Sequence, residues 1–510
     1  MVSKVFTSSL YGIDGIKVEV EVDISHGLPS FNVVGLPEPS VKESRERVRA
    51  SIKNAGFDFP NDRITVNLAP ADVRKEGSSF DLPVAIGMLA AMGIIKQGLL
   101  LDHLITGELS LDGRIKGVRG ILPMALLAQK EGFTHIIVPS DNGFEASVVK
   151  GIEVRGASHL LDIVHYFKGE SELASFAPRE QPETYEEKEE GVDFSDIKGQ
   201  AQAKRALEIA AAGGHNVLMV GPPGSGKTML ARRMPTILPP LTYGEAIETT
   251  KIHSIAGLLS AEKFLVTEKP FRVPHHTISD AGLIGGGSFP KPGEISLAHN
   301  GVLFLDEFPE FKRNILDSLR QPLEAGSVII SRVSHAVTFP ARFMLIAAMN
   351  PCPCGYYGDT RRACICSGAQ IHRYRMRISG PLLDRIDIQI GVPSVTIRDL
   401  SLDTEEESSA AIRQRVMAAR TIQLERFKGK SSTANGQMTA RNVKRFCPID
   451  GPAKDLLEQA VERFGLSARA YHRVLKLART IADIEGEKDI EESHVAEAIQ
   501  YRVLDKRLAV

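Results

Sequence analysis

The run GPPGSGKT, Gly221 to Thr228, has the residue types and spacing to hold a phosphate. It satisfies GxxxxGK[ST], follows the apolar stretch HNVLMV and opens a stretch of helical character. Gly221, Gly224 and Gly226, with Pro222, Pro223 and Ser225 among them, let backbone N–H groups turn inward around phosphate oxygens. Lys227 would neutralise the β and γ phosphates of ATP, and the Thr228 hydroxyl would ligate Mg²⁺. A second apolar strand, GVLFLDE, ends in two carboxylates. Asp306 is expected to hold the Mg²⁺ shell and Glu307 to orient and polarise the attacking water. The chemistry predicted is ATP hydrolysis.

Four of the five cysteines fall in CPCGYYGDTRRACIC, as Cys352, Cys354, Cys364 and Cys366, while Cys447 stands alone. Clustered thiols in a reducing compartment suit Zn²⁺ held tetrahedrally, with redox chemistry and plain thiols as the other readings. The stretch Arg361 to Arg377 carries Arg361, Arg362, Arg373, Arg375 and Arg377 and no acid, with Tyr356, Tyr357 and Tyr374 before and among them. Those arginines are candidates for phosphate contacts, and the tyrosines permit base stacking. The adjacent His275 and His276 rarely suit a single metal ion and are read as packing or loop contacts.

At 510 residues the chain is too long for one core, and 43% hydrophobic with 25% charged residues is globular usage. The longest nearly apolar run, Val84 to Ile95, is too short to span a bilayer, and MVSKVFTSSLYG lacks a signal peptide's apolar stretch. A cytoplasmic protein without membrane contact is expected. The net charge of −1 hides strong patterning: Glu170 to Asp196 carries −8, and Ala411 to Arg445 carries +8. Such basic windows can face a polyanion or can be solvated surface.

Composition divides the chain into an α+β domain over 1–170, an acidic linker over 171–195, an α/β nucleotide-binding core over 196–400 and a helical domain over 401–510. VEVEV and RITVNLA have strand spacing in the first domain. HNVLMVG, GVLFLDE and RFMLIAAMN alternate with helical stretches in the core. Lys227 and Asp306 lie 79 positions apart, and the glycines and prolines of FRVPHHTISDAGLIGGGSFPKPGEISLAHNG exclude a continuous helix between them.

Nearly the whole chain resembles the AAA+ ATPases, and within them the magnesium-chelatase-like branch. DIKGQ resembles the family's entry to the adenine pocket, through Ile197 and Gly199. Asn350 after LIAAM is similar to the sensor-1 residue, and Arg385 in GPLLDRIDI to the arginine finger. Arg469 in LSARAYHR resembles the sensor-2 arginine, with Arg473 as its rival. The resemblance implies a finger that completes a neighbour's site, hence a homo-hexamer. It also implies a helix-2 insert projecting toward the ring's pore. SVIISRVSHAVTFP is a second candidate hairpin, with Arg332, Ser334 and His335 near its tip as DNA-contact candidates.

The stretch Arg74 to Ala91 with the GELSLDGRIKG region is similar to the Lon-type proteolytic domain. Ser79 takes the nucleophile's place, but Met124 occupies the lysine position, and Lys116 and Lys130 do not match the motif. A serine with no base to take its proton is a poor nucleophile, so an inactive, Lon-protease-like domain is expected. Together these features resemble the competence-associated ComM, or YifB, family. That family implies an ATP-driven DNA helicase promoting branch migration in homologous recombination. The alternative is a chelatase-like remodeller acting on a protein partner. A non-catalytic DNA-binding scaffold is disfavoured by the complete phosphate motifs.

Overall fold

Apolar residues at every second position of KVEVEV bury Val18, Val20 and Val22 on one face of a strand, and the same alternation runs through its neighbours. β1 (Val2–Tyr11) and β2 (Asp14–Ser25) form a hairpin turned at Gly12, followed by β3 (Ser30–Val34) and β4 (Arg63–Ala69). β5 (His103–Ile105) is followed by the two-stranded ribbon β6 (Glu108–Leu109) and β7 (Ile115–Lys116). β8 (His135–Pro139), β9 (Glu153–Ala157) and β10 (Ala174–Phe176) complete an eight-stranded sheet in the order β10-β9-β8-β5-β1-β2-β4-β3. The helix Asp81–Ala91, apolar on all sides, packs on β1 and β2 in the core of this layer.

These coordinates are a computed structural model that describes residues 2–75, 77–178, 192–260, 262–287, 290–332, 335–359, 361–394, 406–429 and 433–502. The chain forms two units: Met1–Thr184 with Ala246–Val266, and Tyr185–Glu245 with Thr267–Val510. The first unit is therefore discontinuous, drawing in residues 246–266 from within the stretch 196–400. The reason is apolar packing. Phe264, 5% exposed, joins Ile136, Val138 and Met124 in one cluster, with Ile247 and Leu265 against it. Its ring lies 5.8 Å from that of Phe144. The buried Glu145 accepts hydrogen bonds from the Leu122 N–H at 2.9 Å and from the Ser254 hydroxyl. Burial pushes the Glu145 carboxyl above its ordinary value.

Structured residues flank the middle of the acidic stretch 171–195. β10 falls at its start and pairs with β9, while Phe194 near its end is fully buried in the second unit. Residues 179–191 lie outside the described residues.

The second unit is built on a parallel sheet of β11 (Val217–Val220), β12 (Phe271–Arg272), β15 (Val302–Leu305), β18 (Met344–Met349) and β19 (Ile388–Gly391), ordered β12-β15-β18-β11-β19. Two hairpins lie outside it, β13 (Gly285–Gly286) with β14 (Lys291–Pro292) and β16 (Ser327–Arg332) with β17 (His335–Pro340). β11, β15 and β18 are almost wholly buried, as strands covered on both faces must be. The helices Ser409–Arg426, Gly451–Phe464, Ala468–Glu485 and Glu492–Gln500 form the C-terminal helical part. Among the described residues, no helix is long and apolar enough to cross a membrane.

Part of the basic window over 411–445 is engaged within this unit, while Lys428, Arg441, Lys444 and Arg445 are exposed. Arg415 pairs with Glu208 and Glu407, and Arg426 pairs with the fully buried Asp483 at 2.5 Å. A charge count along the chain does not register these partners.

Phe264→Ala should destabilise the first unit by about 3–5 kcal/mol, the usual cost of emptying a buried phenylalanine site. Urea titration followed by amide exchange should show β8 and β9 losing protection, while β11 and β18 keep theirs.

Candidate nucleotide site

Parallel pairing places Val220 beside Met349, and Leu305 beside Ala347, so the chain leaves β11, β15 and β18 at one edge. Residues of three distant stretches meet there. Gly221 passes so close to Val392 that a Cβ would lie 2.1 Å from the Val392 carbonyl oxygen, which only glycine tolerates. The Gly221 N–H donates to the Met349 carbonyl at 3.2 Å. Gly226, at φ +89°, turns the loop into the helix Lys227–Ile237.

The Lys227 ammonium donates to the carbonyls of Gly221 and Pro222, both at 2.8 Å, and lies 3.4 Å from Asn350 Oδ1. Burial lowers its pKa to about 8, against the opposing pull of Asp306. The Thr228 hydroxyl donates to Asp306 Oδ2 at 2.6 Å, and the Glu307 N–H donates to Asp306 Oδ1 at 2.9 Å. Octahedral Mg²⁺ holds oxygens at about 2.1 Å, so cis ligands lie roughly 3 Å apart. Thr228 and Asp306 fit two such neighbouring positions.

Glu307 has a contact that the sequence did not reveal. Its carboxylate lies 3.2 Å from His276 Nδ1, and the His275 ring lies against that of His276 at 4.1 Å. The loop contacts expected of the histidine pair therefore include the carboxylate next to Asp306. The 31 positions between the two residues left only a shared glycine-rich insert as a signal. Ile197 is buried, and the Gly199 N–H donates to Glu406 at 2.8 Å, so this stretch is fixed beside the helix that begins at Ala201.

Arg385 and Arg469 occupy a different place. With Lys269, Arg342, Arg420 and Arg473 they line a cavity of about 660 Å³, whose lining includes none of Gly221 to Thr228, Asp306 or Glu307. Arg385 pairs with Glu324, and Arg473 with Asp387 at 3.4 Å. Both candidate sensor-2 arginines therefore border the same basic space as the candidate finger.

The four cysteine sulfurs converge within 4.8 Å of one another. Cys352 and Cys354 are 3.4 Å apart, Cys352 and Cys364 3.7 Å, and Cys354 and Cys364 3.6 Å. A disulfide needs about 2.05 Å, whereas Zn–S bonds of about 2.3 Å make tetrahedral edges of about 3.8 Å. Backbone N–H groups of Tyr357, Cys354 and Cys366 donate to the sulfurs of Cys352, Cys366 and Cys364. N–H groups of Tyr356 and Ile365 hold the Cys354 thiol down to about 6. The donor set and its spacing fit a tetrahedral, thiophilic cation.

The five arginines of this region divide. Arg361, Arg362 and Arg373 are exposed, and Arg362 bonds the Tyr356 hydroxyl at 2.9 Å. Arg375 reaches the Pro351 carbonyl and lies over the Tyr357 ring, while Arg377 pairs with Glu310 at 2.8 Å. The last two are thus at least partly engaged in holding the fold. Arg332 and His335 face each other as the final pair of the β16–β17 hairpin. Ser334 lies outside the described residues, as do the side chains of Arg332 and His335.

In the first unit, Ser79 is half-buried and its carbonyl accepts from the Gly107 N–H at 3.2 Å. Met124 is 2% exposed, and Lys116 and Lys130 are exposed. The fully buried Lys75 donates its ammonium to the Pro70 carbonyl.

Residues 193–400 match the family described as magnesium chelatase, subunit ChlI; residues 20–142 match subunit ChlI of Mg-chelatase, and residues 406–502 the ChlI C-terminal family. The chain is 46% identical to Competence protein ComM of Haemophilus influenzae, over 99% of this chain and 98% of that protein. It is 44% identical to YifB of Escherichia coli over the same shares. The magnesium-chelatase 38 kDa subunit of Rhodobacter capsulatus is 24% identical, over 59% of this chain and 84% of that subunit.

Glu307→Gln should retain ATP binding yet lose at least about 10²-fold in turnover, measured by phosphate release against fluorescent-nucleotide binding. Nucleotide affinity should be flat below pH 8. Above the Lys227 pKa of about 8 the free site loses its proton, which bound phosphates require. The dissociation constant should then rise about tenfold per pH unit, read by titration between pH 7 and 10.

Proposed function

Because the chain belongs to the ComM and YifB family of magnesium-chelatase-like AAA+ proteins, we propose that it is a cytoplasmic, Mg²⁺-dependent ATP hydrolase. It works as a homo-hexameric ring on DNA, a helicase that promotes branch migration during homologous recombination, as in natural transformation. The observation that carries the hydrolytic part is the Thr228–Asp306 hydrogen bond of 2.6 Å at the sheet edge, with Glu307 next in the chain. Thr228 and Asp306 would hold Mg²⁺, which when bound would supply positive charge against the charge that develops in phosphoryl transfer. Lys227 binds the phosphates, Thr228 and Asp306 hold the cation's shell, Asn350 bears on the lysine and Glu307 directs water at the terminal phosphate. His276 holds the Glu307 carboxylate in one orientation.

The cavity that gathers Arg385 and Arg469 away from the phosphate loop supports action on a neighbouring subunit. An arginine supplied in trans neutralises charge in phosphoryl transfer and ties hydrolysis to ring contacts. Zn²⁺ at the four cysteines would fix the loop that presents Arg361, Arg362, Tyr356 and Tyr357. The exposed arginines, and full-length likeness to a protein named for competence, support DNA as the substrate. One observation favours the protein-remodelling alternative: Arg377, Arg415 and Arg426 already pair with carboxylates of this chain.

The test is movement of a three- or four-way DNA junction through homologous arms, with ATP against a non-hydrolysable analogue. The motor reading expects movement only with ATP, hydrolysis stimulated by forked DNA, and DNA affinity falling steeply with salt. Arg361→Ala with Arg362→Ala should weaken DNA binding about tenfold or more at moderate salt while leaving basal hydrolysis within about twofold. A wild-type protein that hydrolyses ATP, ignores DNA and never moves a junction would leave the remodeller in its place.

A further inference from the structure

The thiol cluster and the phosphate loop are separate in sequence and contiguous in space. β18 and β11 are parallel neighbours, so the loops that follow them leave the sheet side by side. After Met349, whose carbonyl accepts the Gly221 N–H, the chain passes Asn350 and turns at Cys352, which is fully buried. The Gly355 N–H closes that turn onto the Cys352 carbonyl at 3.0 Å. Gly355 has φ +87°, and a Cβ on it would lie 2.6 Å from Pro223 Cδ, 2.7 Å from Pro223 Cγ and 3.9 Å from the Asn350 side chain. Its Cα therefore rests directly against the ring of a phosphate-loop residue. On its other side the loop is stopped by the Val392 carbonyl at Gly221, and Gln200 bonds the Ser225 carbonyl at 3.2 Å. The phosphate loop is held between two walls, and one of them is the turn between Cys352 and Cys354.

We propose that Gly355 and the four-cysteine knuckle are a positioning element for the nucleotide site: with Zn²⁺ at the thiols the knuckle seats Pro223 and Asn350, and without it nucleotide binding weakens. This rests on the zinc and ATP readings above. Four thiols lie within 4.8 Å of one another, joined by backbone N–H···S bonds, and a shared Zn²⁺ would tie them directly. Removing the cation leaves only the weak N–H···S bonds to hold the turn. The turn at Cys352 and Cys354 would then open, and the wall behind Pro223 with it. The cluster thereby makes ATP affinity a function of available zinc.

The experiment uses the full-length protein and two readouts, zinc per chain and the dissociation constant of a fluorescent ATP analogue. Gly355→Ala keeps all four thiols. It should retain about one zinc per chain yet bind nucleotide at least about tenfold more weakly, because its methyl must displace Pro223. Gly358→Ala is the control for backbone strain, since Gly358 has φ +80° with nothing within 4 Å of a Cβ. It should bind nucleotide within about twofold of wild type. Stripping zinc from the wild-type protein should weaken nucleotide binding by a similar factor, and zinc alone should restore it. The inference is overturned if Gly355→Ala binds as wild type, if Gly358→Ala loses as much, or if the zinc-free wild type keeps full affinity. Wild-type protein that holds no zinc would overturn it together with the metal reading, and protein that binds no nucleotide would overturn the ATPase reading itself.

Discussion

The register of three parallel strands fixes the chemistry of the second unit. Val220 stands beside Met349 and Leu305 beside Ala347, so the backbone leaves β11, β15 and β18 within a residue or two of a common line. Parallel strands all point one way, and the groups that follow them collect at one edge. A shift of one residue in β15 would carry Asp306 about 3.3 Å along the strand and turn it to the opposite face. The Thr228 hydrogen bond could not then form. The buried Val, Leu, Ile and Met side chains of these strands are what hold the register.

Around that edge, the protein controls charge by pairing it internally. Lys204 bonds Glu406, Arg205 meets Glu485 and Glu497, and Arg426 meets Asp483. The pairs of Lys204 and Arg205 tie the helix Ala201–Gly213 to stretches 202–292 residues later, while Arg426 and Asp483, 57 residues apart, pair within the C-terminal helical part. Breaking one by removing a single partner leaves a desolvated charge, which is costly even where the intact pair contributes little. The basic cavity containing Arg385 and Arg469 differs, because it gathers more cations than acids around open space.

Features carried by adjacent residues were legible in the sequence. GPPGSGKT contains its own geometry, since its glycines set the turn and its lysine and threonine follow at fixed offsets. Asp306 and Glu307 were legible because a short apolar run announces a buried strand, and its end is an edge. The four cysteines were readable as a cluster, although only the fold brings their sulfurs within 4.8 Å. His276 was missed because its partner Glu307 is brought to it by the tertiary fold. The pairing of Arg415 with Glu208 was missed for the same reason. Ile247 and Phe264 illustrate a third limit: an apolar residue signals that it will be buried, but not in which of two cores.

The discontinuity of the first unit bears on how the chain comes off the ribosome. Ile247, Ser254 and Phe264 are made only after the whole phosphate loop and the helix that follows it. At about 5–20 residues per second, the earlier part of this unit waits several seconds for the pieces that complete it. During that interval Phe144 lacks the Phe264 ring and the Glu145 carboxyl lacks the Ser254 hydroxyl. The nascent N-terminal segment is thus an incomplete body while the second unit is being started. A gene split or a proteolytic cut within the acidic stretch at 179–191 would, by the same logic, release a fragment lacking part of its own interior.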